Sequence, residues 1–167
     1  MAKSLKEQLP AYRIKEQILN KNEVLISLVS RQWQDNEKSE TELVTRASCR
    51  TENGFNIISY EDTEATGFEG SVTTIKVDKN KNALIIRSGT ANSALSLEMG
   101  KKHFCQYGTP YGSFQIGVFT HSIKNRLSTH GELYMKYTLD INSAYLSDNE
   151  IILKIQEQAV HESADES

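Results

Sequence analysis

"HGELYMKYTLDI", residues 130–141, decides the fold. Leu133, Met135, Tyr137, Leu139 and Ile141 fall on one side of an extended chain, and Glu132, Tyr134, Lys136, Thr138 and Asp140 on the other. Side chains in a strand alternate sides, so five apolar or aromatic residues in step predict a β-strand with one face on a core and one on water. The run before it, "SFQIGVFTH" (113–121), is more mixed. Phe114, Ile116, Val118 and Thr120 share one face, while Gln115, Gly117, Phe119 and His121 share another that is neither apolar nor fully polar. A glycine in mid-strand marks a bend or a close approach, which would help a sheet curl.

The same period of two extends through the chain. Val24, Ile26 and Leu28 alternate with Glu23, Leu25 and Ser27, and "TELVTRASCR" (41–50) separates Leu43, Thr45, Ala47 and Cys49 from Val44, Arg46, Ser48 and Arg50. "ENG" (52–54) then turns the chain into "FNIISYED" (55–62). Strand-like runs follow at 70–77, 83–88, 94–99, 103–107, 114–121, 132–141 and 150–156. They are joined by short connections such as "DKNKN", "SGTAN", "MGKK" and "LSDNE" that carry turn-forming Gly, Asn and Asp. About ten short strands without a long βαβ pattern predict an all-β antiparallel barrel or sandwich. "IKNRLSTHGE" (123–132) has room for one helical turn. Residues 1–21 form an appendage in which Pro10 could open a short helix, residues 22–158 the barrel domain, and residues 159–167 a disordered tail.

At 167 residues the chain is one domain, able to bury roughly 70% of the surface its unfolded form exposes. Nineteen basic residues mixed with 22 acidic ones give a net charge of −3, so the overall field offers no drive toward nucleic acid. No apolar stretch reaches the ~18 residues of a membrane span and no leader-like apolar region stands at the N-terminus, so no membrane partner is expected. Cys49 and Cys105 stand alone rather than in pairs. Free thiols in a reducing, cytoplasmic compartment are the expectation.

The order of "IISYEDTE", "TTIKVDKNKNALIIRSGTANSALSLEMGKKHFCQYGTPYGSFQIGVFTHSI" and "GELYMKYTLDINSAYLSDNEIILKIQE" resembles the YwiB-like family of bacterial proteins of uncharacterised function. The specific elements are Ser-Tyr-Glu at 59–61, Arg-Ser-Gly at 87–89, Tyr-x-Thr-Pro-Tyr-Gly at 107–112 and Tyr-x-Leu-Asp at 137–140. The resemblance covers roughly residues 22–158 and implies a calycin, lipocalin-like, closed barrel of about eight to ten strands. It supplies a fold and no activity.

Such barrels are filled by side chains or hold one small ligand, so the question becomes which polar groups converge inside. Arg87 shares a face with Ala83 and Ile85, and Glu98 lies opposite Leu95, Leu97 and Met99. Pointing inward, Arg87 could grip a carboxylate with its planar fork. Pointing outward, the two make a solvated pair, the usual place for charge on an antiparallel sheet. Tyr60 and His121 join them as candidates, as do Tyr107, Thr109 and Tyr111 of "QYGTPYG", where Pro110 and two glycines explain a turn but not two tyrosines.

His103 and Cys105, two apart, are better read as strand-end residues than as a nucleophile pair, and no zinc-like ligand spacing is present. His121 and His130 flank one connection and could meet. Glu61, Asp62 and Glu64 read as a charged linker. "GKK" at 100–102 is no phosphate loop, and no Gly-x-Ser-x-Gly or dinucleotide fingerprint occurs. No cofactor, metal or catalytic residue is assigned. The leading expectation is a barrel binding a small molecule in or at its mouth, ahead of a protein-interaction module and of an enzyme using His or Tyr as acid and base; the oligomeric state stays open, with a homodimer among the alternatives.

Overall fold

A computed structural model describes residues 23–109 and 112–156. The predicted helix of the appendage and the tail lie outside the described residues. Ten strands follow one another: β1 (Val24–Gln34), β2 (Glu37–Glu52), β3 (Phe55–Glu61), β4 (Ser71–Val77), β5 (Asn82–Gly89), β6 (Ser93–Glu98), β7 (Lys102–Thr109), β8 (Gly112–Arg126), β9 (Glu132–Ile141) and β10 (Ala144–Gln156). A 3₁₀ turn at Glu64–Thr66 lies between β3 and β4, and a four-residue helix α1 (Leu127–His130) between β8 and β9.

Each strand pairs antiparallel with its sequence neighbours, and β1 closes on β10 from Leu25↔Gln156 to Trp33↔Asp148. An even number of strands lets an up-and-down meander close with every pair antiparallel, the β6–β7 contact resting on the pair Ser93↔Tyr107. The turns Asp35–Asn36, Asn53–Gly54 and Asn142–Ser143 carry positive φ at both residues, the geometry of a two-residue hairpin loop that follows strand twist. "LSDNE" is therefore not the last connection. The chain turns at Asn142–Ser143, and Asp148 and Asn149 stand inside β10 opposite Thr138 and Tyr137. β8 also runs past residue 121, through a register shift between Thr120 and Ser122, so only 127–130 of "IKNRLSTHGE" is helical.

Gly117 has a specific reason to lack a side chain. The Lys102–Asp140 ion pair, Nζ to Oδ2 at 2.7 Å, crosses directly over it, and a Cβ there would sit 2.6 Å from Asp140 Oδ2. The glycine marks a close approach between neighbouring strands' side chains.

The alternation read from 130–141 sets the core. Leu133 and Met135 are fully buried with Ile26, Ile58, Ile75, Val77, Leu97, Val118, Ile123 and Leu153. Leu127 of α1 is buried as well and plugs the end of the barrel where β8 turns into β9. There Asn125 ties the plug in place, its Nδ2 donating to Asn56 Oδ1 (2.8 Å) and to the Asp78 carbonyl (2.7 Å). The β1–β2, β3–β4, β5–β6, β7–β8 and β9–β10 connections all fall at the opposite end, the mouth. No helix among the described residues is long and apolar enough to cross a membrane.

Candidate functional site

Packing does not continue to the mouth. A cavity of about 280 Å³ occupies that half of the barrel, below a rim made by the odd-to-even turns. Register determines what lines it. Tyr60 pairs with Thr73, Thr73 with Arg87, Arg87 with Ser93, and Ser93 with Tyr107. Five consecutive strands, β3 to β7, thus present one inward polar belt. One step deeper, Ile58, Ile75, Ile85 and Leu95 form the matching apolar layer on β3 to β6. On the opposite wall Tyr137 pairs with Asn149, Asn149 with Gln32, and Gln32 with Ser39, all facing the same cavity.

Arg87 occupies the centre of the first belt, inward with Ala83 and Ile85. The usual outward placement of sheet charge fails here because Asp62 lies beside it. Asp62 has no side-chain exposure and Arg87 retains 19%. Thr73 Oγ1 donates to Asp62 Oδ2 at 2.6 Å and accepts from Arg87 Nε at 3.1 Å, while Thr66 Oγ1 donates to Asp62 Oδ1 at 3.1 Å. Arg87 Nε also reaches Asp62 Oδ2 at 3.4 Å. The pairing is single-pronged. The Phe68 ring covers one guanidinium face with its centroid 3.7 Å from Cζ. Among the described residues no hydrogen bond reaches Arg87 Nη1 or Nη2.

Three tyrosines surround this cation. Burial pushes the Tyr60 hydroxyl up to about 12, with Asp62 adding and Arg87 opposing. Burial likewise pushes Tyr137 up to about 12 against the influence of Arg87, with Tyr107 adding. Both stay neutral hydroxyls at physiological pH, able to donate and accept hydrogen bonds but not to act as bases.

Of the sequence candidates, Tyr60, Arg87 and Tyr107 come together in the cavity. Glu98 does not: it faces outward and meets Lys101 Nζ at 2.8 Å and His103 Nε2 at 2.9 Å. His121 is on the outer wall, its Nε2 2.6 Å from Thr138 Oγ1, which in turn donates to Asp148. His130 bonds its neighbour Thr129 and does not join His121. Thr109 ends β7 at the mouth, and Tyr111 lies outside the described residues. Cys105 is buried and accepts from the Ser96 amide, and burial pushes the Cys49 thiol up to about 12, away from nucleophilic use. Among the described residues no group of three or more His, Cys, Asp or Glu could hold a metal.

Asp62 is the residue that sequence reading placed wrongly, as linker charge. Tyr60 was already a candidate, and Asp62, two residues further on and just past the end of β3, keeps to the same side of the extended chain. Thr73, Ser93 and Asn149 carried no local signal, since only the register brings them into the belt.

These features define a class: a closed ten-stranded antiparallel barrel, calycin-like in form, plugged at one end and hollow and polar-belted at the other. The chain belongs to the DUF1934 family, a domain of unknown function, which matches residues 26–153. The crystal structure of the YwiB protein from Bacillus subtilis is similar in fold, with a TM-score of 0.64 and 17% sequence identity over 81% of this chain and 92% of that one. No curated protein matches this chain.

Proposed function

We propose that this protein is a small-molecule-binding barrel whose ligand enters at the mouth and rests between the polar belt and the apolar layer beneath it. One observation carries this reading: buried aliphatic side chains such as Ile123, Leu127 and Leu133 occupy the plugged end, yet the barrel keeps about 280 Å³ open at the other, lined by Tyr60, Thr73, Arg87, Tyr107 and Tyr137 above Ile75, Ile85 and Leu95. A folded chain that leaves apolar floor and polar wall unfilled forgoes dispersion contacts that larger side chains would make. Convergent polar groups over an apolar base are what a specific ligand pocket requires, and the volume sits just under the ~300–1,000 Å³ range of drug-sized sites. A compact metabolite fits this space better than an extended lipid.

An interaction module has less support. The most exposed large apolar side chains, Phe104, Val44 and Tyr145, lie on β7, β2 and β10, no two of which are adjacent in the barrel. Single exposed apolar residues are normal on a soluble surface.

Native mass spectrometry of the protein purified from the cells that make it tests the reading. The expected result is a discrete non-covalent added mass that a bulky substitution at the belt, Ser93→Phe, removes while leaving the protein folded. An added mass retained equally by Ser93→Phe, or none from any preparation, counts against it.

A further inference from the structure

The arrangement around Arg87 narrows the class of ligand. A guanidinium carries five N–H donors in a fixed fork. Here Nε is used inward, on Thr73 and Asp62, and one face is covered by Phe68. What remains is the outer edge, Nη1 and Nη2, carried by a side chain that lines the cavity and is mostly withdrawn from water. Buried donors of this strength are rarely left without an acceptor. The other cation on the cavity wall, Arg31, is already engaged, with Nε 2.7 Å from Glu40 and Nη1 3.7 Å from Glu150. No lysine lines the cavity among the described residues.

We propose that the ligand is a small organic monocarboxylate, its two oxygens met by Nη1 and Nη2 of Arg87 and its apolar remainder lying on Ile75, Ile85 and Leu95. This rests on the small-molecule reading of the cavity. The flat carboxylate matches the parallel N–H pair of the guanidinium edge, which a single alcohol or amide oxygen does not. Asp62, behind Arg87, holds the fork in place and offsets part of its charge, which works against a dianion and leaves the donor geometry of Nη1 and Nη2 to favour a carboxylate. The hydroxyls of Tyr107 and Tyr137, within the same cavity, are placed to donate to a bound carboxylate.

The test is titration calorimetry on the purified full chain with butanoate, hexanoate, benzoate and octanoate, the matched primary alcohols and amines, and hexyl phosphate. At least one carboxylate is expected to bind about tenfold or more tightly than its alcohol, a difference of about 1.4 kcal/mol. The amines and the phosphate are expected to bind more weakly still. Arg87→Gln is expected to abolish the carboxylate preference while changing alcohol binding less than about threefold. Because Arg87→Gln leaves Asp62 without its counter-ion, the paired exchange Asp62→Asn with Arg87→Gln is measured beside it and is expected to behave the same way.

Alcohols binding as well as carboxylates would overturn the carboxylate assignment and leave the small-molecule reading standing. So would a preference for the phosphate, or a carboxylate preference that survives loss of Arg87. Failure of every probe while native mass spectrometry shows a retained molecule overturns this assignment alone; failure of both removes the cavity reading as well.

Discussion

Replacing Asp62 by alanine is the sharpest probe of the buried pair that organises the cavity. Asp62 is wholly buried and accepts from Thr73, Thr66 and Arg87. Its loss strands a cation inside the barrel and leaves the Thr73 hydroxyl without its acceptor, while Thr66 keeps the Thr63 carbonyl at 3.0 Å. Removing one partner of a buried ion pair costs about 3–5 kcal/mol. Arg87 keeps 19% exposure, so water can partly solvate it, and the lower end, about 3 kcal/mol, is the expected loss. For a chain of this length each kcal/mol moves Tm by roughly 2–4 °C, so the midpoint should fall by about 6–12 °C. Urea unfolding followed by the fluorescence of the single tryptophan, Trp33, gives the free energy directly. Adding Arg87→Met to Asp62→Ala removes the stranded charge and should recover at least about 1 kcal/mol relative to the sum of the single changes. A loss below about 1 kcal/mol in Asp62→Ala, or strict additivity of the pair, would refute the placement of these two residues as one buried unit.

Two glycines should differ sharply in how well they tolerate a side chain. At Gly89 (φ 128°) a Cβ would collide with the Gly70 carbonyl and come within 2.9 Å of Ser71 Cα, so Gly89→Ala should cost about 2 kcal/mol or more in the same urea assay. At Gly117 the obstruction is only the movable ends of Lys102 and Asp140, so Gly117→Ala should change stability by less than about 1 kcal/mol. Burial tends to raise the Asp78 carboxyl, but hydrogen bonds from Asn82, Lys81 and Asn80 outweigh it and hold the group below its ordinary 3.8. The stability it contributes is therefore present above pH 3.8 and lost as pH falls through the lower folded value. The Tm gap between wild type and Asp78→Ala should be constant near neutrality and close in stronger acid. Absorbance titration should find Tyr60, Tyr134 and Tyr137 ionising near 12, well after the ordinary value of 10. Because their folded values are raised, stability should fall between pH 10 and 12 as the unfolded chain releases these protons first.

Much of the fold was legible because strand alternation is local. Leu133 to Ile141 reveal their buried side in nine residues, and Asn53–Gly54 announces its own turn. Asn142–Ser143 was hidden because neither residue is a glycine, while "LSDNE" offered more obvious turn formers. The cavity was half legible. The alternation through Ala83, Ile85 and Arg87 put the arginine on an apolar face, yet what makes that tolerable is Asp62, 25 residues earlier and two strands away. Thr73 and Ser93 are ordinary strand residues until β3 to β7 are laid side by side. Glu98 and His121 failed to join the site for a local reason: both fall on the outward phase of their strands, where Lys101, His103 and Thr138 take up their hydrogen bonds.

The most direct measurement is a high-resolution crystal structure of protein purified from its own cells without a denaturing step. The account predicts non-water density in the cavity, one end within hydrogen-bonding distance of Arg87 Nη1 and Nη2 and the rest against Ile75, Ile85 and Leu95. A mouth filled by protein side chains, with Arg87 paired to one of them in place of a ligand, would contradict it.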